Sequence, residues 1–239
     1  MENEAIVNLR KILQHTRRGV FFGGAGVSTE SGIPDFRSED GLYRQKYKYP
    51  PERILSHSFF EGHTEEFYAF YRDKMLCLDA QPNAAHKKLA QWEREGRLAA
   101  VVTQNIDGLH QKAGSRVVYE LHGSIWRNFC TKCGMAYPVQ RIAKGSGVPH
   151  CPCGGFIKPD VVLYEEPLDE RVLSGAVEAI RAADTLIIGG TSLNVYPAAG
   201  LIDFFRGDNL VVINKGAPDK DMRGVFFIDG KIGEVFAQV

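Results

Sequence analysis

Residues 19–28 have the sequence Gly-Val-Phe-Phe-Gly-Gly-Ala-Gly-Val-Ser, a short apolar run that passes directly into closely spaced glycines. The run predicts a buried strand over 20–22, and the glycines predict a tight turn into a helix from about Val27. Glycines at such a turn let backbone N–H groups approach a phosphate. The third glycine of the dinucleotide fingerprint is missing, because Thr29 stands three residues after Gly26. On this motif alone, a turn without a ligand explains the residues as well as a phosphate site does.

The apolar segments of the chain alternate between short continuous runs and longer amphipathic patterns. The runs are typical of buried strands, and we expect such strands at 98–103, 117–121, 185–188, 210–213 and 225–228. The amphipathic patterns predict helices at 3–17, 63–76, 83–95, 169–183 and about 197–206. Strands that alternate with helices in this way favour an α/β fold with a parallel sheet covered on both faces.

The composition is that of an ordinary globular chain without a charge bias. Its 239 residues include 29 Lys and Arg against 29 Asp and Glu, so the formal net charge is zero. This balance argues against a protein that coats nucleic acid or an anionic membrane. No apolar run approaches the roughly 18–20 residues of a membrane helix, and the N-terminus shows no secretory signal. We therefore expect a cytoplasmic protein with no membrane or direct nucleic-acid partner.

Four of the five cysteines form two close pairs, Cys130 with Cys133 and Cys151 with Cys153, which seventeen residues separate. Thiolates from two such pairs match tetrahedral Zn²⁺, although the second pair has one intervening residue where two are usual. Four thiolates fill the coordination shell, which indicates a structural rather than a catalytic zinc. The stretch 124–158 is rich in Cys, Gly, Pro and Lys and poor in aliphatic residues, as expected of a small module organised by metal.

Polar side chains follow two of the predicted strands. Residues 103–110 are Thr-Gln-Asn-Ile-Asp-Gly-Leu-His, and amides with a carboxylate at a strand end suit recognition of ribose hydroxyls and a carboxamide. A helix cap would explain Asn105 or Asp107 but not the whole group. His122 follows the strand at 117–121 and could be a general base for a sugar hydroxyl, although most lone histidines are structural. Because ligand sites of parallel sheets lie beyond the carboxyl ends of the strands, these loops predict one shared site.

Three further segments follow the same logic. Residues 189–193 form a second glycine loop after a strand, and Asn214 follows the strand at 210–213, where an acidic residue often binds an adenosine ribose. Residues 35–37, Asp-Phe-Arg, could cover a flat ring and steer a phosphate. For those three residues alone, a surface ion pair beside a packed phenylalanine is the simpler interpretation.

Taken together, these motifs resemble the sirtuins, a family of NAD-dependent protein deacylases, in their bacterial form. They follow the order of that family over nearly the whole chain, at 24–28, 32–37, 103–110, 122–123, the four cysteines, 158–162, 190–193 and 213–214. As a set they are far more specific than any one of them alone.

The resemblance implies two domains and two bound groups. A large Rossmann-like domain would comprise 1–35, 76–123 and 159–239, and a smaller domain would combine the helical excursion 36–75 with the zinc module 124–158. NAD and an acyl-lysine protein or peptide would meet in the cleft between the domains. One structural zinc ion per chain would hold the small domain together.

The resemblance also implies a role for individual residues. His122 would be the general base, the four cysteines would bind zinc, and Val162 and Tyr164 would pair with the substrate backbone as a strand. Phe36 and Arg37 would guard the reacting ribose and the nicotinamide exit. The remaining NAD contacts would be Ala25, Gly26 and Thr29 at the phosphates, Gln104, Asn105, Ile106 and Asp107 at the nicotinamide half, and Thr191, Ser192, Asn214 and the backbone near Ile232 at the adenosine half.

The implied reaction releases nicotinamide and transfers the acyl group to ADP-ribose, which gives 2′-O-acyl-ADP-ribose. Sirtuins that prefer succinyl or malonyl lysine resemble one another in a Tyr-x-x-Arg pair at the acyl pocket. Here Tyr68 is followed by Tyr71 where the arginine would stand, and Arg72 comes one residue later, about 100° around a helix. We therefore expect an apolar acyl pocket and a deacetylase. A mono-ADP-ribosyltransferase and a non-catalytic zinc-ribbon binding module are the rival interpretations.

Overall fold

The apolar runs of the sequence form the strands of a central parallel sheet. The computed structural model describes residues 3–36, 41–42, 47–216 and 224–239. Within them the strands are β1 (Gly19–Gly23), β2 (Leu98–Thr103), β3 (Val118–Glu120), β4 (Gly123–Cys130), β5 (Ala136–Pro138), β6 (Ile157–Val161), β7 (Thr185–Gly189), β8 (Asn209–Asn214) and β9 (Val225–Asp229).

The helices surround this sheet and a smaller one. In the described part of the chain the α-helices are α1 (Glu4–His15), α2 (Pro51–Ile54), α3 (His57–Gly62), α4 (Thr64–Phe70), α5 (Ala84–Arg94), α6 (Leu109–Ala113), α7 (Gln140–Ala143), α8 (Glu170–Arg181) and α9 (Ile232–Phe236). Shorter 3₁₀ turns span Ala25–Val27 and Thr29–Ser31, and a 3₁₀ helix spans Ala198–Phe204. None of the helices among these residues is long and apolar enough to cross a membrane.

The strand order of the large sheet reverses direction at its centre. The order is β3-β2-β1-β7-β8-β9, and every pair in it is parallel. The chain therefore fills one half outward from β1 and the other half outward from β7. A crevice opens beyond the strand ends at such a reversal. A second sheet is antiparallel, with the order β5-β4-β6. The α/β fold with a Rossmann-like sheet and a smaller part is confirmed.

Successive side chains of the central strands enter two different cores. In β1, Phe21 joins a core cluster with α1, α5 and α9, whereas Val20 and Phe22 join a second cluster with α8 and the 3₁₀ helix. β7 does the same, because Ile187 faces the first cluster and its two neighbours face the second. Both faces of the sheet are therefore dry, which is why its strands are continuous apolar runs rather than alternating ones.

A third core cluster lies in the smaller part of the molecule. It combines aromatic side chains of α3 and α4 with residues of the small sheet, such as Ile125 and Ile157. It also includes Leu163 and is flanked by Ile106, which come from outside the two stretches assigned to the small domain. The domain boundaries given by the sequence remain a prediction.

The helix expected from about Val27 is wrong. Two 3₁₀ turns form instead, separated at Ser28, and the second ends at Gly32, which adopts φ +82°. Ser28 directs its hydroxyl to Asp107 across the neighbouring loop. Pro34 follows closely, and its ring disfavours a helical conformation for the residue before it. The helix expected at about 197–206 exists, but as the tighter 3₁₀ form.

The first prediction tests the close approach of the two central loops. Gly190 has φ +60°, and a Cβ there would lie 2.6 Å from the Gly26 carbonyl carbon and 3.0 Å from its Cα. Gly216 shares the positive φ, at +77°, but a Cβ there would meet no atom of the described residues within 4 Å. We expect Gly190→Ala to lose about 1–3 kcal/mol more stability than Gly216→Ala, because only the former adds overpacking to the conformational cost. Equal losses in urea unfolding would show that the loops do not constrain each other.

Candidate active site

The loops that follow β1, β2 and β7 lie side by side at the carboxyl edge of the sheet. The Gly26 N–H donates to the Gly190 carbonyl at 2.8 Å, and the Gly24 N–H donates to the Gly189 carbonyl at 3.3 Å. On the other side, the Gln104 N–H donates to the Gly23 carbonyl at 2.9 Å. Main-chain hydrogen bonds thus hold the three loops together independently of their side chains.

The loop after β1 presents backbone rather than side chains. A Cβ at Gly24 would lie 2.8 Å from the Thr191 Cβ, and one at Gly26 would lie 2.8 Å from the Gly190 Cα. Ala25 and Gly26 are half-buried, while Thr29 is exposed and donates its hydroxyl to the Gly26 carbonyl at 3.0 Å. A bare backbone at the reversal point of a parallel sheet fits the diphosphate of a dinucleotide.

Ser28 joins the loops after β1 and β2 through its side chain. Its hydroxyl donates to Asp107 Oδ2 at 2.6 Å and accepts from Asn105 Nδ2 at 3.1 Å. The other Asp107 oxygen accepts the Leu109 N–H at 2.8 Å. Burial raises the pKa of the Asp107 carboxyl, and the hydrogen bonds from Ser28 and Leu109 oppose that rise. One hydroxyl therefore fixes two of the three polar side chains assigned to the nicotinamide half of NAD, Asn105 and Asp107.

Gln104 and Ile106 connect the same loop to its other neighbours. Gln104 Nε2 donates to the Thr191 hydroxyl at 3.1 Å, across the sheet from β2 to the loop after β7. The Ile106 carbonyl accepts the Ile125 N–H at 3.0 Å, and the Ile106 side chain packs against the third core cluster. This loop therefore contacts both the large sheet and the smaller part of the molecule.

His122 lies directly before β4, with one ring nitrogen bound to the backbone. Its Nδ1 is 3.0 Å from the Gln104 carbonyl. A carbonyl oxygen only accepts, so Nδ1 carries the proton and Nε2 is the basic nitrogen of the neutral ring. Burial lowers the pKa of His122, and the contact with the Gln104 carbonyl opposes that change. The ring is therefore a neutral base near pH 7, beside the polar loop.

The residues assigned to the adenosine half lie around the ends of β7 and β8. Asn214 Nδ2 donates to the Thr191 carbonyl at 3.1 Å. Ser192, the residue after Thr191, is half-buried. The Ile232 side chain is buried in the first core cluster, so only its backbone is available to a ligand. The Glu30 carboxylate accepts the Gly233 N–H at 2.7 Å and ties the loop after β1 to α9.

Of the two residues assigned to the gate over the ribose, the structure describes one. Phe36 is half-buried and packs against the third core cluster. Arg37 lies outside the described residues.

The segment after β6 adjoins His122. The Val162 N–H donates to the His122 carbonyl at 3.0 Å. Tyr164 pairs with the chain itself, because its N–H donates to the Leu55 carbonyl and its carbonyl accepts the His57 N–H. The backbone N–H and carbonyl of Tyr164 are therefore already paired within the chain. Tyr164 as a whole residue is 38% exposed.

Two side chains that the sequence analysis did not assign to the site support the loop after β2. The first is Ser28, whose position in the glycine motif is compatible with a cap or a phosphate contact. The second is Trp126, whose indole N–H donates to the Asp107 carbonyl at 2.8 Å. A Cβ at Gly108 would lie 2.7 Å from the Trp126 Nε1. The alternation of β4 could have placed Trp126 on an outer face, but no sequence pattern indicates a bond to a backbone carbonyl.

The four paired cysteines converge to one point. Their sulfur atoms all lie within 4.8 Å of one another, with 3.4 Å between Cys130 and Cys153 and 3.7 Å between Cys133 and Cys151. Tetrahedral zinc with Zn–S bonds of about 2.3 Å requires sulfur separations of about 3.8 Å, so the arrangement fits one zinc ion. The backbone N–H groups of Lys132 and Cys133 point to the Cys130 sulfur, at 3.3 and 3.5 Å.

A glycine pair explains how one intervening residue suffices in the second cysteine pair. Gly154 adopts φ +84°, and a Cβ at Gly155 would lie 2.7 Å from the Cys130 sulfur. The chain turns back at this point, since the Cys151 N–H donates to the Gly155 carbonyl at 2.8 Å. The tight turn brings Cys153 to the cluster without the usual second spacer.

Fold and site together define a dinucleotide-binding α/β protein with a structural metal module. A doubly wound sheet carries glycine loops at its reversal point, and a neutral histidine and an oriented carboxylate lie beside them. The chain belongs to the Sir2 family, whose model matches residues 24–197. The resemblance seen in the motifs is confirmed.

Known proteins resemble the chain over nearly its full length. An NAD-dependent protein deacetylase of Clostridium acetobutylicum is 56% identical over 99% of this chain and 98% of its own. A Sir2 variant solved with deacetylated p53 peptide and 3′-O-acetyl ADP ribose has a TM-score of 0.90 at 37% identity, covering 98% of this chain and 96% of its own. A Sir2 protein bound to a propionylated peptide has a TM-score of 0.87 at 35% identity, covering 100% and 97%.

The second prediction concerns the metal. We expect one zinc ion per chain, because four thiolates converge at the right spacing. Cys151→Ser should lose the metal and lower Tm, since metal binding at such sites is part of folding. Cys77→Ser is the matched control, because Cys77 is the one cysteine outside the cluster and should keep a full metal content. Elemental analysis measures the zinc content of each protein, and thermal unfolding measures its Tm. A wild type that contains no metal and has the same Tm as Cys151→Ser would contradict the prediction.

Proposed function

We propose that the protein removes acetyl groups from protein lysine side chains in an NAD-dependent reaction that yields nicotinamide and 2′-O-acetyl-ADP-ribose. The observation that carries this proposal is the His122 ring, whose Nδ1 is bound to the Gln104 carbonyl and whose Nε2 is left as a base beside the polar loop. The Clostridium acetobutylicum relative, an NAD-dependent protein deacetylase at 56% identity, supports it.

In this proposal the glycine loop after β1 (residues 24–29) and the polar loop after β2 (residues 104–108) bind opposite ends of the reacting half of NAD. Bound NAD supplies a ribose with a departing nicotinamide. Ala25, Gly26 and Thr29 bind its phosphates through backbone and hydroxyl donors. Asn105 and Asp107, which Ser28 holds in place, bind the nicotinamide and its ribose. Fixed dipoles of this kind need no reorganisation during the reaction.

His122 takes the proton of a ribose hydroxyl at Nε2. Its Nδ1–H remains on the Gln104 carbonyl throughout, so the ring keeps its orientation while it gains and loses the proton. A positioned base of this kind contributes about 10²–10⁴-fold to a rate. A zinc ion bound by the four thiolates would take no part in this chemistry, because such a site leaves no open coordination position.

The segment after β6 binds the acyl-lysine substrate. Within the described residues, no donor of the chain reaches the Val162 carbonyl, whereas the Val162 N–H is bound to His122. The free carbonyl is an acceptor for the amide N–H of an acylated lysine. The ring of the exposed residue Tyr164 packs on the substrate beside it. The proposed substrates are therefore proteins or peptides that carry a lysine modified with a neutral acyl group.

We place the protein in the cytoplasm. Four thiolates that must stay reduced to bind zinc favour a reducing compartment.

Mass spectrometry of the products tests the proposed function. Incubation with NAD and an acetyl-lysine peptide should give deacetylated peptide, nicotinamide and acetyl-ADP-ribose in equal amounts. ADP-ribose attached to the peptide would instead identify a mono-ADP-ribosyltransferase. If zinc-loaded protein turns over no NAD, the result would favour a non-catalytic zinc-ribbon module.

The third prediction isolates the base. We expect His122→Ala to lower deacetylation by about 10²-fold or more while NAD binding stays largely intact, because the imidazole moves a proton and does not hold the phosphates. His15→Ala is the control, since His15 is an exposed residue of α1 at the opposite end of β1. Turnover of His122→Ala near that of the control would remove His122 from the mechanism.

The fourth prediction concerns the acyl group. Arg72 Nε donates to the Ile142 carbonyl at 2.8 Å and Nη2 to the Gly147 carbonyl at 2.6 Å, so the guanidinium is engaged with the zinc module. Tyr71, at the position of the expected arginine, is fully buried. Among the described residues no cation therefore stands at this position to pair with a succinyl carboxylate, whose burial without a partner is costly.

We therefore expect kcat/KM on an acetyl-lysine peptide to exceed that on the matched succinyl-lysine peptide by about 10²-fold or more, the equivalent of a few kcal/mol. A propionyl-lysine peptide is the control for chain length, because it extends the acyl group without adding charge, and it should be turned over. Equal or better use of the succinyl peptide would show that another cation of the chain faces the pocket.

A further inference from the structure

Asn83 links the loop after β1 to helix α5. Its Oδ1 accepts the Ala85 N–H at 2.9 Å and lies 3.4 Å from the His86 N, so it caps the helix. Its Nδ2 donates to the Val27 carbonyl at 2.8 Å and to the Ser31 hydroxyl at 3.0 Å. Both polar atoms of the side chain are thus hydrogen-bonded. The oxygen binds the helix, and the nitrogen binds the glycine loop after β1.

The loop that Asn83 contacts has little internal support. It consists of two consecutive 3₁₀ turns of three residues each, and the 3₁₀ hydrogen bond has poorer geometry than that of an α-helix. Val27 is the last residue of the first turn and Ser31 is the last residue of the second. One amide group therefore ties both turns to the same external point.

Helix α5 is a rigid support for that point. Its Leu89 and Trp92 side chains are buried in the first core cluster. At its N-terminus, His86 completes a capping box with Asn83 and packs against His110 with 4.7 Å between ring centroids. His110 belongs to α6, which directly follows the polar loop. The start of α5 therefore contacts the elements that carry both NAD loops.

We propose that Asn83 is a positioning residue for NAD, which holds the two turns in the conformation that binds the phosphates before NAD arrives. This inference rests on the proposed function, in which Ala25, Gly26 and Thr29 bind the phosphates of NAD. A loop already held in its bound shape loses less conformational freedom on binding, and the gain appears as affinity. Asn83 bonds to Val27 and Ser31, which are not among the residues assigned to NAD, so the effect falls on NAD binding through the loop and not on the catalytic step.

Asn83→Ser separates the two functions of the side chain. Serine caps a helix about as well as asparagine, but it lacks the amide donor that reaches Val27 and Ser31. We expect the calorimetric Kd for NAD, and with it KM for NAD, to rise about tenfold, the order expected for losing two hydrogen bonds. In contrast, kcat at saturating NAD and KM for the acetyl-lysine peptide should stay within about twofold of wild type.

Two further variants make the result decisive. Asp169→Ser is the matched control, because Asp169 caps α8 through the Arg171 and Val172 N–H groups and its described hydrogen bonds do not reach the glycine loop. It should bind NAD as wild type does. Asn83→Asp keeps the capping oxygen and the shape but places a second oxygen against the Val27 carbonyl, and it should weaken NAD binding at least as much as Asn83→Ser.

Two outcomes overturn the inference. One is an Asn83→Ser protein whose Kd for NAD is within twofold of wild type. The other is an equal loss of affinity in Asp169→Ser, which would show a general effect of cap removal. A wild type that binds NAD but does not deacetylate would refute the proposed reaction, while the calorimetry would still decide on Asn83. A wild type that binds no NAD would overturn both.

Discussion

The hydrogen bond from the Gly26 N–H to the Gly190 carbonyl fixes the point around which the site is built. It forms where the strand order reverses, between β1 and β7, and it requires that neither residue carry a side chain. The close approach leaves a surface of bare backbone at the strand ends. The loop after β2 is then added through the Gly23 carbonyl and through Ser28, so the polar side chains of a distant segment reach the same edge.

Burial gives the two ionisable groups of the site their protonation behaviour. His122 and Asp107 are both shielded from water, which disfavours their charged forms: the pKa of the imidazole falls and the pKa of the carboxyl rises. Each group is held by partners that oppose the shift, the Gln104 carbonyl for His122 and Ser28 for Asp107. The histidine is therefore neutral and oriented at the same time, which is what a base at neutral pH requires.

The sequence predicts the sheet well because its strands are buried on both faces and appear as uninterrupted apolar runs, as 98–103 and 185–188 do. It also predicts the metal cluster, because ligand chemistry and spacing are local properties. It fails at the helix expected from Val27, where Ser28 bonds to a residue far along the chain instead of propagating the turn. Trp126 and Asn83 are missed for a related reason. Their contacts are with backbone carbonyls of loops distant in sequence, and no residue pattern encodes such a contact.

We propose that His122 is neutral at physiological pH and acts as the base in an NAD-dependent deacetylation. The pH dependence of kcat/KM for an acetyl-lysine peptide at saturating NAD tests this most directly. Because burial lowers the folded-state pKa of His122 below the ordinary value of 6.5, the activity should stay level around pH 7 and fall along a single acid limb below pH 6.5. The residual activity of His122→Ala should lack that limb. A wild-type profile without an acid limb, or the same limb in His122→Ala, would contradict the account.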